Sequence, residues 1–123
     1  LSSPLCTFFH MAHGEANAVL LKYCMDFNLM ARPERFAHIA ALLGENTTGM
    51  HPYQAAQASV RAVERLFDET GVRVPFASFG MKESDAELVA SNLPGFLLAN
   101  NPRAISQKQC EKLYLEILAD QTR

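Results

Sequence analysis

The sequence predicts an all-α protein, a helical bundle of five or six helices. Three observations predict it. Apolar residues recur at three- and four-residue steps through most of the chain. The connections between those stretches are short and carry prolines, glycines and capping residues. No convincing sheet appears in the sequence, so helix-on-helix packing is the economical architecture. A chain of 123 residues, 49% apolar and 20% charged, can bury a real core and reads as a single domain spanning 1–123.

The elements follow in order. Residues 15–30 place Val19, Leu20, Tyr23, Cys24, Phe27 and Met30 on one helical face, with His13-Gly14 just before it. Pro33 falls in the first turn of the next helix, where its missing N–H costs nothing. That helix turns Phe36, Ile39, Ala40 and Leu43 inward, and Gly44 stops it in a left-handed conformation. Residues 45–51 form a loop. A third helix runs from Pro52 to Gly71, with Ala55, Ala58, Ala62, Val63, Leu66 and Phe67 as its buried stripe. Residues 72–81 allow a short strand, although Pro75 and Gly80 favour an extended connector. Ser84 with Glu87 has capping-box spacing, and a helix to about Leu93 follows. Pro94 starts a short helix holding Phe96, Leu97 and Leu98, and Asn100-Asn101-Pro102-Arg103 is turn chemistry. Ser106 caps the last helix with Gln109 in the reciprocal position, and Cys110, Leu113, Tyr114, Ile117 and Leu118 form its stripe.

Composition excludes several classes of function. The net charge is −2 and no basic stripe exists, which argues against nucleic-acid binding. No apolar run approaches the roughly 20 residues of a membrane span, and no signal-peptide pattern opens the chain. Cys6, Cys24 and Cys110 form no Cys-x-x-Cys pair, so reduced thiols in the cytoplasm are the plain expectation. The absence of Gly-x-Gly-x-x-Gly, P-loop and nucleophile-elbow patterns leaves this chain without a dinucleotide or phosphate site of its own. The chain opens on Leu1 in an apolar, proline-containing segment, which reads as a piece of something longer.

Chemistry concentrates in residues 8–28. His13, immediately before Gly14 at a helix start, is well placed to be a metal ligand, because neutral imidazole suits Fe²⁺ and Zn²⁺ alike. Taken alone, such a histidine more often serves a turn or cap. His10 lies three residues earlier, but no zincin motif surrounds the pair. His38 sits in the middle of a helix, and His51 before Pro52 reads as a helix-start residue. Convergence of His10, His13, His38 and His51 is conceivable, yet nothing in the spacing enforces it. Glu15 and Asp26 can line a site, although a carboxylate in a first turn more commonly serves the helix dipole. Cys24 lies on an apolar stripe and reads as inert core.

The wider pattern is more specific. His13-Gly14-x-x-Asn17-Ala18, then Leu20-Leu21, then Met25-x-Phe27-Asn28, resembles the signature of the iron-containing alcohol dehydrogenases. The segment Leu1-Ser2-Ser3-Pro4-Leu5 with Phe8-Phe9, the helix end Ala41-Leu42-Leu43-Gly44, and Asn101-Pro102-Arg103 before a terminal helix are similar to that family too. The resemblance implies the C-terminal helical domain of an enzyme whose other domain binds the nicotinamide cofactor. It implies a divalent metal, iron or zinc, held by one aspartate and three histidines, with His13 as the last of these. It also implies NAD(P)-dependent oxidation of alcohols or reduction of aldehydes in the intact enzyme. The remaining ligands would precede Leu1, so this chain by itself is expected to be inactive and to bind no cofactor. Where the family carries a histidine near the substrate this chain has Ser3, where it usually has glycine this chain has Cys6, and where it often has proline this chain has Lys22. The alternative reading is a non-catalytic packing or association module descended from that family. Either way the apolar group Leu1, Leu5, Phe8 and Phe9 leads us to expect a homo-oligomer with residues 1–12 at or near its interface.

Overall fold

Prolines start two of the longer helices of this chain, and glycines follow their ends. In the computed structural model, which describes residues 1–121, seven α-helices and three short 3-10 turns account for the regular structure. Helix α1 spans Ser2–Phe9, with Pro4 in the first turn where no intrahelical bond is lost. Helix α2 spans His13–Asn28 and passes into a 3-10 turn at Leu29–Ala31. Helix α3 (Pro33–Leu42) and helix α4 (Pro52–Thr70) each carry proline at the first position. Gly44 and Gly71 follow them at φ +87° and +70°, the left-handed region that other residues resist. Helix α5 spans Ala86–Ser91, α6 Gly95–Ala99 and α7 Gln107–Gln121.

The all-helical class is as the sequence predicts. The structure adds a helix, because residues 2–9 form one of their own: a proline within the first turn is no barrier to it. Residues 76–79, where a strand was conceivable, form a 3-10 turn with Phe76 fully buried. The start of α5 also differs from expectation. Asp85, not Glu87, reaches back, its carboxylate accepting from the Lys82 N–H at 2.8 Å, so a 3-10 turn at Glu83–Asp85 precedes the helix. At the start of α7 the expected box is present. The Gln109 N–H donates to Ser106 Oγ at 3.2 Å, and the Ser106 N–H donates to Gln109 Oε1 at 2.9 Å.

The chain forms two compact units, Leu1–Tyr23 with the segment from Val74 onward, and Cys24–Arg73. In the first, α7 packs on α5, and Leu5, Phe76, Val89, Tyr114 and Ile117 are fully buried. Each such side chain gains about 1.5–3 kcal/mol by leaving water. The buried Tyr114 donates its hydroxyl to the Leu1 carbonyl at 2.7 Å, which ties α7 to the residue before α1. Gln121 closes the same unit by accepting from the Phe76 N–H at 2.6 Å. In the second unit α3 lies along α4. Ala40 on α3 and Ala55, Ala58 and Ala62 on α4 are buried, and side chains this small let two helices approach closely. Three expected core positions are exposed instead: Met30, Ile39 and Leu66. Met30 falls in the 3-10 turn, where the helical face no longer continues. No helix among the described residues is long and apolar enough to cross a membrane.

Candidate metal centre

The backbone between α1 and α2 decides where His13 stands. Helix α1 ends at His10, the one described residue other than glycine with positive φ (52°). Three residues later α2 begins with His13 itself, Ala12 acting as its cap. The Ala12 carbonyl accepts the first helical bond, from the Ala16 N–H at 2.9 Å, and the Ala12 N–H donates to Glu15 Oε2 at 3.2 Å. Glu15 is therefore spent on the helix start, as its place in the first turn suggested. Met11 and Ala16 on either side are buried, which fixes the turn, while His13 and Gly14 face outward.

The His13 imidazole has a neighbour of chemical interest. Its Nδ1 lies 3.9 Å from Cys6 Sγ, across the break between the two helices. Sequence reasoning did not pair these residues, because a seven-residue spacing interrupted by a left-handed residue carries no helical period. Gly14 was read as allowing a close backbone approach. Among the described residues it answers none, since a methyl built there would meet nothing within 4 Å.

The other histidines have their own local settings. His10 is exposed and occupied in turning the chain. His38 is exposed on α3. His51 is the cap of α4, with Nδ1 accepting from the Tyr53 N–H at 3.3 Å, in agreement with its reading as a helix-start residue. Among the described residues no three His, Cys, Asp or Glu side chains are grouped as a metal site requires. Asp26 is exposed further along α2, and Cys24 is half-buried rather than sealed in the core. Ser3 is exposed on α1, where its carbonyl accepts from Thr7 Oγ1 at 3.1 Å.

A second polar cluster, unforeseen from the sequence, joins the far part of α2 to the end of α7. Asp120 Oδ2 accepts from the Tyr23 hydroxyl at 2.7 Å and from Lys22 Nζ at 3.2 Å, and the Lys22 ammonium lies 4.7 Å from the Tyr23 ring centroid. Burial, aided by the hydrogen bond to Asp120, pushes the Tyr23 phenol up to about 12.

The described residues thus offer one outward-facing imidazole at a capped helix start. Comparison with known proteins gives the family. The C-terminal model of the Fe-containing alcohol dehydrogenase family matches residues 1–118, and the chain belongs to that family as its C-terminal helical domain. A 1,3-propanediol dehydrogenase of Citrobacter freundii is 36% identical over 118 residues, covering 93% of this chain and 30% of the relative. An NAD-dependent methanol dehydrogenase of Bacillus methanolicus is 41% identical over 96 residues, covering 77% of this chain and 25% of the relative. Among solved structures, a 1,3-propanediol oxidoreductase superposes with a TM-score of 0.84 at 33% identity over 94% of this chain, and an alcohol dehydrogenase from Oenococcus oeni with 0.82 at 32% identity. The chain spans about 30% of the length of the propanediol dehydrogenase.

Proposed function

We propose that this chain is the metal-side half of a cytoplasmic alcohol dehydrogenase that uses NAD(P), and that His13 supplies one ligand to a divalent iron or zinc ion. In that reading residues 1–123 form one helical domain within the metal-side part of the enzyme, and the intact enzyme oxidises alcohols or reduces aldehydes. The observation that carries the reading is the exposed His13 at the capped start of α2, in a chain matched along residues 1–118 by the family's C-terminal model.

The donor set suits a shared site. One accessible imidazole on a helix start held by the buried Met11 and Ala16 is a good single ligand. It is not a site by itself, since protein metal centres use three or four ligands, and the others would come from outside this chain. When bound, the metal supplies Lewis acidity to an alcohol oxygen during hydride transfer to the nicotinamide. What this chain contributes is position. Glu15 fixes the first turn of α2, and the turn at His10 sets the approach of α1.

The test is an assay of the enzyme that carries this chain, with NAD or NADP and short primary alcohols, 1,3-propanediol and methanol among them. Nicotinamide reduction is expected to vanish on chelation and to return with Fe²⁺ or Zn²⁺. The present chain alone is expected to give no turnover. Activity from this chain alone, or activity indifferent to chelation, would overturn the proposal.

A further inference from the structure

The last turn of α7 holds two places that the sequence keeps far apart. The chain leaves the first compact unit after Tyr23 and re-enters it at Val74. Asp120 meets the point of exit: its Oδ2 accepts from the Tyr23 hydroxyl at 2.7 Å and from Lys22 Nζ at 3.2 Å. Gln121 meets the point of return: its Oε1 accepts from the Phe76 N–H at 2.6 Å, and its Nε2 donates to the Val74 carbonyl at 3.3 Å. The two grips come from adjacent residues. The buried stripe of α7 ends at Leu118, whereas Ala119, Asp120 and Gln121 are exposed. Polar contacts more than burial therefore hold this turn, and a segment held in that way opens at lower free energy than the core beside it.

We propose that the last turn of α7 is a strap: it fastens the first unit at the two points where the chain leaves and re-enters it, and it opens as one piece. Coupling between the grips follows from their adjacency on one helical turn. A helix frays from its end, and each turn is held by cooperation with its neighbours. When Asp120 loses Tyr23 and Lys22, the turn that carries Gln121 unwinds more readily, and Gln121 releases Phe76 and Val74 in consequence. The reverse holds when Gln121 lets go first. The strap therefore carries a disturbance from the end of α2 within the first unit to the connector at 74–76, although no hydrogen bond between those two segments is required. The inference is independent of the metal site.

The experiment is amide hydrogen exchange on the enzyme that carries this chain, resolved to single residues, with Phe76 as the reporter. Its N–H bonds to Gln121 and to neither Asp120 nor Tyr23, so a change there caused from α2 or Asp120 has travelled through the strap. Asp120→Ala is expected to speed exchange at Phe76 about 3–10-fold, the effect of one or two partly exposed hydrogen bonds on a local opening. Leu113 and Ile117, further back on α7, are expected to keep their rates. Tyr23→Phe removes only the hydroxyl and is expected to act in the same direction; it decides the matter if the alanine variant does not fold. Unchanged exchange at Phe76 overturns the proposal, because the two grips would then be independent. Equal acceleration at Phe76, Leu113 and Ile117 also overturns it, because the turn would then open only with the whole helix.

Discussion

At the scale of single residues, the polar contacts that matter most link places far apart in the sequence. Tyr23 and Asp120 are 97 positions apart and share a 2.7 Å hydrogen bond. Burial and that bond raise the phenol from 10.0 to about 12, so the folded chain holds the phenolic proton more tightly than the unfolded chain does. The stabilisation is complete below pH 10 and is lost as pH rises from 10 towards 12. Alkaline titration followed by phenolate absorbance is expected to show a late-ionising phase that shrinks in Tyr23→Phe, and that variant is expected to lose stability less steeply over the same pH interval. Early ionisation of Tyr23, near the ordinary value, would contradict this. The cluster was illegible in the sequence because no local period joins Lys22 and Tyr23 to a residue on α7. The Cys6–His13 contact was hidden for a similar reason, lying across a helix break. His13 was legible as a candidate, through its glycine neighbour and the pattern that follows it.

At the scale of elements, local chemistry decided most boundaries. Pro33 and Pro52 start helices, Gly44 and Gly71 end them, and Ser106 with Gln109 forms the reciprocal cap of α7. These devices act within four residues, which is why they could be read directly. The stripe of α7 was equally clear, and all five of its residues are buried. The Ser84–Glu87 spacing misled because the chain first makes a 3-10 turn, in which Asp85 reaches back to the Lys82 N–H. Helix α1 was missed because an apolar segment containing Pro4 reads as irregular until the proline is seen to occupy the first turn. Ser106→Ala removes the acceptor for the Gln109 N–H, and it is expected to cost about 1 kcal/mol in chemical denaturation. Ser106→Asp, which keeps an acceptor, should be nearly neutral. Equal losses in both variants would show that the cap contributes little.

At the scale of the whole molecule, two expectations concern what lies beyond this chain. The first is association. Of the four apolar residues expected at an interface, Leu5 is fully buried within the chain, so it adds nothing to an exposed patch. Phe8 is 40% exposed, and Leu1 and Phe9 are half-buried. The remaining face is smaller than the sequence suggested, and we propose that the exposed Phe8 beside the half-buried Phe9 takes part in self-association through residues 1–12. Light scattering is expected to report a dimer or larger species that Phe8→Ser converts towards monomer. A monomer at high micromolar concentration would contradict it.

The second expectation is the metal site, and it is the centre of the account. The family match covers residues 1–118, while metal ligation by His13 rests on its place at the capped start of α2. The most direct test is a crystal structure of the enzyme that carries this chain, grown with Fe²⁺ or Zn²⁺ and with the metal located by anomalous scattering. The account predicts one metal ion about 2.0–2.1 Å from the His13 imidazole, its other protein ligands coming from residues outside this chain. A metal bound elsewhere, with the His13 ring turned to solvent, would contradict it.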